Sequence, residues 1–152
     1  MATATTSDAL FTHYMDYILK GTAWTPTKSV AIALFTSVPS SDGSGIQEVP
    51  ENADTKYKRV SVSTDAASSG WQGPGSQNLE YSNKNEITFP VPGTQGWGTI
   101  AGCGIFSEPT PGSTAGSELM WIGRIATPKP VSSGDGAPRI LPGQLKISRA
   151  NC

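Results

Sequence analysis

The chain has 152 residues, with 12 acidic and 11 basic side chains, one His and two Cys. A formal charge of −1 gives no electrostatic basis for binding nucleic acid or an anionic membrane surface, and no apolar run approaches the roughly 18 residues of a membrane span. The 17 Gly and 12 Pro argue against a helical bundle, because both residues break helix interiors, and the length suits a single domain.

Met1 to Thr6 (MATATT) is small and polar and reads as a flexible N-terminal arm, followed by one domain over residues 7–152. It lacks the basic and apolar regions of a signal peptide, so a secretory route is not supported. Ser7 to Lys20 reads as a helix. Leu10, Phe11, Tyr14, Met15, Ile18 and Leu19 recur as one apolar stripe at the helical period. Ser7 suits the N-cap, Asp8 the first turn and Gly21 the C-terminal stop. A helix of about 14 residues is marginal alone, so its stripe must rest on its own sheet or on a neighbouring subunit.

After Gly21 the period changes to two. Expected strands are Val30 to Thr36, Tyr57 to Ser63, Glu86 to Phe89, Gly98 to Phe106, Glu118 to Ile125 and Ile140 to Ile147, the last broken at Pro142-Gly143. Pro39 to Gly45 is turn punctuation, and TPKPVSSGDGAP (127–138) reads as loop. Asp65 to Asn85 reads as a long polar loop, pinned somewhere by Trp71. Short strands separated by Gly/Pro/Ser turns predict a mainly β fold, an antiparallel sandwich or jelly roll, with one short N-terminal amphipathic helix.

Catalytic signals are sparse. General acid–base chemistry most often uses His, and His13 has no identifiable partner, so a surface or interface role is favoured. No clustered His, Cys or carboxylates mark a metal site, and Asp42 and Asp135 read as turn residues. Glu80 and Glu86 could pair as in a glycosidase, but nothing in the sequence fixes their separation. There is no phosphate loop and no nucleophile elbow. The expectation is therefore no catalytic residue, no metal and no cofactor. Cys103, between two glycines, reads as a buried structural thiol, and Cys152 as an accessible one open to an intermolecular disulfide.

The remaining candidates are protein contacts. Lys56, Lys58 and Arg59 form the densest basic group and read as a solvated edge or a salt-bridge site. At strand period Lys56 and Lys58 share a face that Arg59 does not. Trp97 and Trp121 read as core or sheet packing. Trp24 and Trp71, together with Phe11 and Tyr14 of the helix stripe, are the candidates for contact with a partner. Stacking on a sugar is the lesser reading for the tryptophans.

Several motifs in order resemble a known family. These are the helix ending in Gly-Thr-Ala, the VAIALFT strand (Val30 to Thr36), Thr88 to Pro90, Trp97 to Thr99, Gly104 to Phe106, Thr127 to Lys129 and the turn Gly134 to Gly136. Their order and spacing resemble small tailed-bacteriophage virion proteins often labelled tail fibre proteins. The resemblance covers nearly the whole chain after residue 7 and departs at Asp65 to Asn85.

The resemblance implies a non-enzymatic virion component assembled in the host cytoplasm. The first expectation is a capsid cement or decoration protein, with the major capsid protein and itself as partners, the chain forming a homotrimer. In that reading the arm before Ser7 is a dispensable tether. The alternative is a tail fibre, baseplate or receptor-binding tip protein contacting other tail proteins. A carbohydrate-binding module is a minor alternative.

Overall fold

A computed structural model describes residues 2–38, 40, 42–74 and 79–148. The protein is mainly β, with antiparallel sheets and one helix near the N-terminus. The strands are β1 (Ala2–Thr6), β2 (Ser29–Ser37), β3 (Gln47–Glu48), β4 (Val60–Ser63), β5 (Trp71–Gln72), β6 (Tyr81–Asn83), β7 (Ile87–Thr88), β8 (Gly98–Ser107), β9 (Leu119–Val131), β10 (Arg139–Ile140) and β11 (Leu145–Ile147). Helix α1 spans Asp8–Lys20. The main sheet runs β3-β2-β8-β9-β1-β11-β6-β5, with β4 also on β2, while β7 and β10 form a separate pair. The strands thus lie along one long path and a short pair, rather than in two equal sheets.

The VAIALFT run forms a strand buried on both faces. Ser29 to Phe35 are all buried, followed by two half-buried residues. On one face Val30, Ile32 and Leu34 join Ile100, Ile105 and Leu145 in the larger core. The aromatic group Tyr57, Phe89 and Trp97 belongs to the same cluster, with Tyr57 and Trp97 edge to face at 5.3 Å. On the other face Ala31, Ala33 and Phe35 pack with Phe106, Leu119 and Ile122. Gly104 is needed here, since a Cβ at that position would lie 2.4 Å from the Phe35 ring. The Gly-rich β8 is therefore a strand shaped to receive that ring.

Two strands share one edge of β2. Strand β4 pairs with Ser29 to Ile32, and β3 begins at Phe35. In the gap, the Leu34 N–H donates to the Tyr57 hydroxyl at 2.8 Å, and that hydroxyl donates to Glu48 Oε1 at 3.0 Å. Burial, followed by the nearby Glu48 charge, pushes the Tyr57 phenol above its usual range. Glu48 also takes two hydrogen bonds from Arg59, at 2.8 and 2.7 Å. The Arg59 guanidinium lies 3.7 Å over the Phe106 ring and reaches Ser117. Burial opposes the Arg59 charge, but the hydrogen bonds and charge of Glu48 outweigh it, and its pKa is raised. One ion pair thus joins the β2 edge to the second core.

Buried polar groups elsewhere are tied down in the same way. Asn83 is fully buried, donates to the Asn85 and Leu141 carbonyls and accepts from the Leu145 N–H. Glu108 is buried and accepts from Ser61 and from the Gly112 N–H, which orders the turn between β8 and β9.

Three expectations are corrected. Residues 2–6 are a sheet strand and not a free arm. Strand β1 pairs antiparallel with β9 and parallel with β11, over Ala2 to Thr6 and Ala2 to Ala4 respectively. The segment has no apolar alternation to announce a strand. Its backbone is recruited because β9 and β11 would otherwise each carry an unpaired edge. The long polar stretch 65–85 contains β5 and β6, which pair with each other and, through β6, with β11. The expected loop after residue 125 is instead the second half of β9, through Pro128 and Pro130 to Val131. A register shift opposite Ala101 absorbs the extra residues, the kind of place where a strand tolerates proline. The expectation for Cys152 lies outside the described residues.

Two stability predictions follow from these contacts. Deleting residues 1–6 removes two ladders, so it should lower the Tm by more than about 10 °C or abolish cooperative unfolding; circular dichroism melting checks this, and an unchanged Tm would return the segment to the role of tether. Arg59→Ala leaves the Glu48 carboxylate unpaired at the β2 edge and should cost about 2–4 kcal/mol in urea unfolding, whereas the exposed Lys58→Ala should stay within about 0.5 kcal/mol.

Candidate functional site

Helix α1 is fixed to the sheet by one residue. The Ser7 N–H donates to the Met120 carbonyl at 2.8 Å, and its hydroxyl donates to the Leu119 carbonyl at 2.5 Å. The same Oγ accepts from the Leu10 N–H and caps the helix. At the far end Gly21 takes the left-handed conformation (φ 65°), and its N–H closes onto the Asp16 carbonyl. Leu10 is the buried residue of the helix. Phe11, Tyr14, Tyr17, Ile18 and Leu19 are all more than half exposed. The apolar stripe legible in the sequence therefore does not rest on the protein's own sheet.

Beside the helix lies a groove of about 720 Å³, with His13, Trp24, Lys28, Asp65, Glu118 and Trp121 among its lining. The His13 and Trp24 rings stack at 5.5 Å, within 7° of parallel. His13 Nε2 lies 2.8 Å from Glu118 Oε2. His13 is thus engaged at the ring face and at one nitrogen, and it ties α1 to the start of β9. Trp24 is half-buried by the same stack.

The fold brings some predicted contact residues together and separates others. Phe11, Tyr14 and Trp24 belong to α1 and the segment that follows it. Lys56 and Lys58 are exposed, and Lys56 takes a positive φ of 55°. Arg59 is half-buried and pairs with Glu48, and residues 56–59 lie outside the strand, which begins at Val60. Trp71 is half-buried in β5 and packs against the larger core. It is a packing residue of the sheet end, not an open platform. Trp97 is buried, with its Nε1 donating to the Thr55 carbonyl at 2.8 Å. Trp121 is half-buried against the larger core, where it also lines the groove.

Residues considered for chemistry sit in structural roles. Glu80 pairs with Lys146 at 2.8 Å and Glu86 with Arg139 at 3.7 Å. Burial pushes the Cys103 thiol up to about 12, so it stays protonated at neutral pH and is a poor nucleophile. It lines an apolar cleft of about 330 Å³ with Leu34, Phe89, Ile100 and Leu145. Among the described residues, no group of three or more His, Cys, Asp or Glu is placed to hold a metal ion. No helix among them is long and apolar enough to cross a membrane.

Sequence reasoning singled out Phe11 and Tyr14 but passed over Tyr17 and Glu118. Tyr17 stands outside the periodic stripe and is exposed because the helix has left the sheet by that turn. Glu118 gave no local signal, since its partner is 105 residues away.

No curated protein matches the chain. Residues 5–148, which take in α1 and every strand from β2 to β11, match the model of a family described as Podophage GP4 fiber I protein gp80. The chain belongs to that family of phage virion structural proteins.

Proposed function

We propose that the protein is a non-enzymatic, fibre-type component of the phage tail that works by protein contact. The observation that carries this reading is the family match, which spans the folded domain from residue 5 to residue 148. A fibre description favours the tail over the capsid-cement position that the sequence first suggested. The distribution of chemistry supports the reading. The carboxylates and the thiol considered for catalysis are engaged in pairs or buried, whereas large apolar side chains are exposed on α1. A carbohydrate-stacking role for Trp24 has less support, because His13 already covers one face of its ring.

Copy number and position test the reading directly. Purified virions are separated into tailless heads and tails, and the protein is counted by quantitative mass spectrometry. The expected outcome is a few to some tens of copies per virion, recovered with the tails. Hundreds of copies retained on tailless heads would restore the cement position and overturn the proposal.

A further inference from the structure

We propose that the cleft over Cys103 is a binding site for a small aliphatic carboxylate, with its chain on the apolar floor and its anionic end between Lys129 and Arg139. The inference goes beyond the fibre reading and does not depend on it.

The cleft is opened by an irregularity in the main sheet. Between the pairs Ile100–Lys129 and Gly102–Arg124, strand β8 has one residue, Ala101, while β9 has the four residues 125–128. Ile125, Ala126 and Thr127 of that bulge form one wall of the cleft. The opposite wall comes from the separate β7–β10 pair and its flanks, through Phe89, Pro138 and Ile140. Bulges commonly serve to re-aim side chains beside a site. The volume of about 330 Å³ lies at the lower end of the range for small-molecule sites.

Polarity is graded from floor to rim. Ile100, Cys103 and Leu145 at the floor are buried, and Ile125 and Ile140 are half-buried. Lys129 and Arg139 are exposed, and no described Asp or Glu lines the cleft. Lys129 has no ion pair among the described residues. Arg139 stands 3.7 Å from Glu86, too far for a hydrogen bond, so its donors are free to take a carboxylate. An apolar body with one anionic end matches this gradient.

The body is aliphatic because the cleft offers no free ring to stack on. Its one aromatic lining residue, Phe89, is already stacked with Tyr57 and edge to face with Trp97, both at 6.4 Å. The ligand enters as a free molecule and not as part of a bilayer. Two rim cations fall short of the cluster of about four to eight that marks attachment to an anionic membrane.

Titration of the full chain with sodium decanoate, followed by calorimetry and by the methyl NMR signals of its isoleucines, tests the inference. One decanoate should bind per chain with a Kd of about 10–100 μM. The methyls of Ile100, Ile125 and Ile140 should shift and saturate together, whereas those of Ile18 and Ile46, exposed elsewhere on the chain, should not. Lys129→Glu, at an exposed position, should keep the wild-type Tm and weaken binding about tenfold, and cationic decyltrimethylammonium should bind the wild type more weakly than decanoate by at least about the same factor. The absence of saturable decanoate binding overturns the proposal, as do shifts centred on Ile18, which mark adsorption to α1. Equal affinity for the two amphiphiles, or a Lys129→Glu variant with wild-type affinity, overturns it too. Co-sedimentation with phosphatidylglycerol vesicles without binding of free decanoate overturns it in favour of a membrane contact.

Discussion

A strand buried on both faces sets the demands that the rest of the chain meets. Strand β2 cannot be an outer strand with one wet side, so two layers must cover it. The larger core covers the Val30, Ile32 and Leu34 face with the aromatic group around Tyr57. The other face carries two alanines, Ala31 and Ala33, and is thin. Gly104 makes room on it for the Phe35 ring, which meets Phe106 edge to face at 6.3 Å. The Glu48–Arg59 pair then closes the margin of that layer. An aliphatic side chain at position 59 would cover Phe106 equally well, but it would leave the Glu48 carboxylate without its counter-charge, holding only the hydrogen bond from the Tyr57 hydroxyl.

The same logic accounts for the N-terminal segment. Strands β9 and β11 are neighbours in space but need a strand between them, and residues 2–6 supply it. The chain then turns at Ser7, whose hydroxyl and N–H are both committed to β9. The start of α1 is therefore fixed to the middle of the main sheet. Ser7 and the His13–Glu118 contact join the helix to β9 at two points.

Much of the architecture was legible along the chain because it rests on local rules. The helix was readable from its period of 3.6 and its caps, and Ser7 and Gly21 stand where those rules put them. The VAIALFT strand was readable from its unbroken apolar run, and Cys103 from its place inside a strand. Elements that borrow their stability from distant backbone were not legible. Strand β1 has no pattern of its own and exists because two edges need pairing. The second half of β9 contains two prolines that ordinarily end a strand, and only the register shift against β8 accommodates them. Asn83 looked like one polar residue among many in a loop, yet it is fully buried with its amide satisfied by three partners.

Composition and periodicity determined by themselves that this is a mainly β domain with one amphipathic helix. They also carry the expectation of a surface for contact rather than for catalysis or metal binding. Those properties follow from residue counts and from spacings of a few positions. The sequence could also state that the helix stripe must be covered, because apolar area is costly to leave in water. It could not say by what, since a period identifies a face without giving its direction. Only the tertiary structure decided that direction. Ser7, His13 and Glu118 lock the polar side of α1 onto β9, and the stripe is left pointing away from the domain.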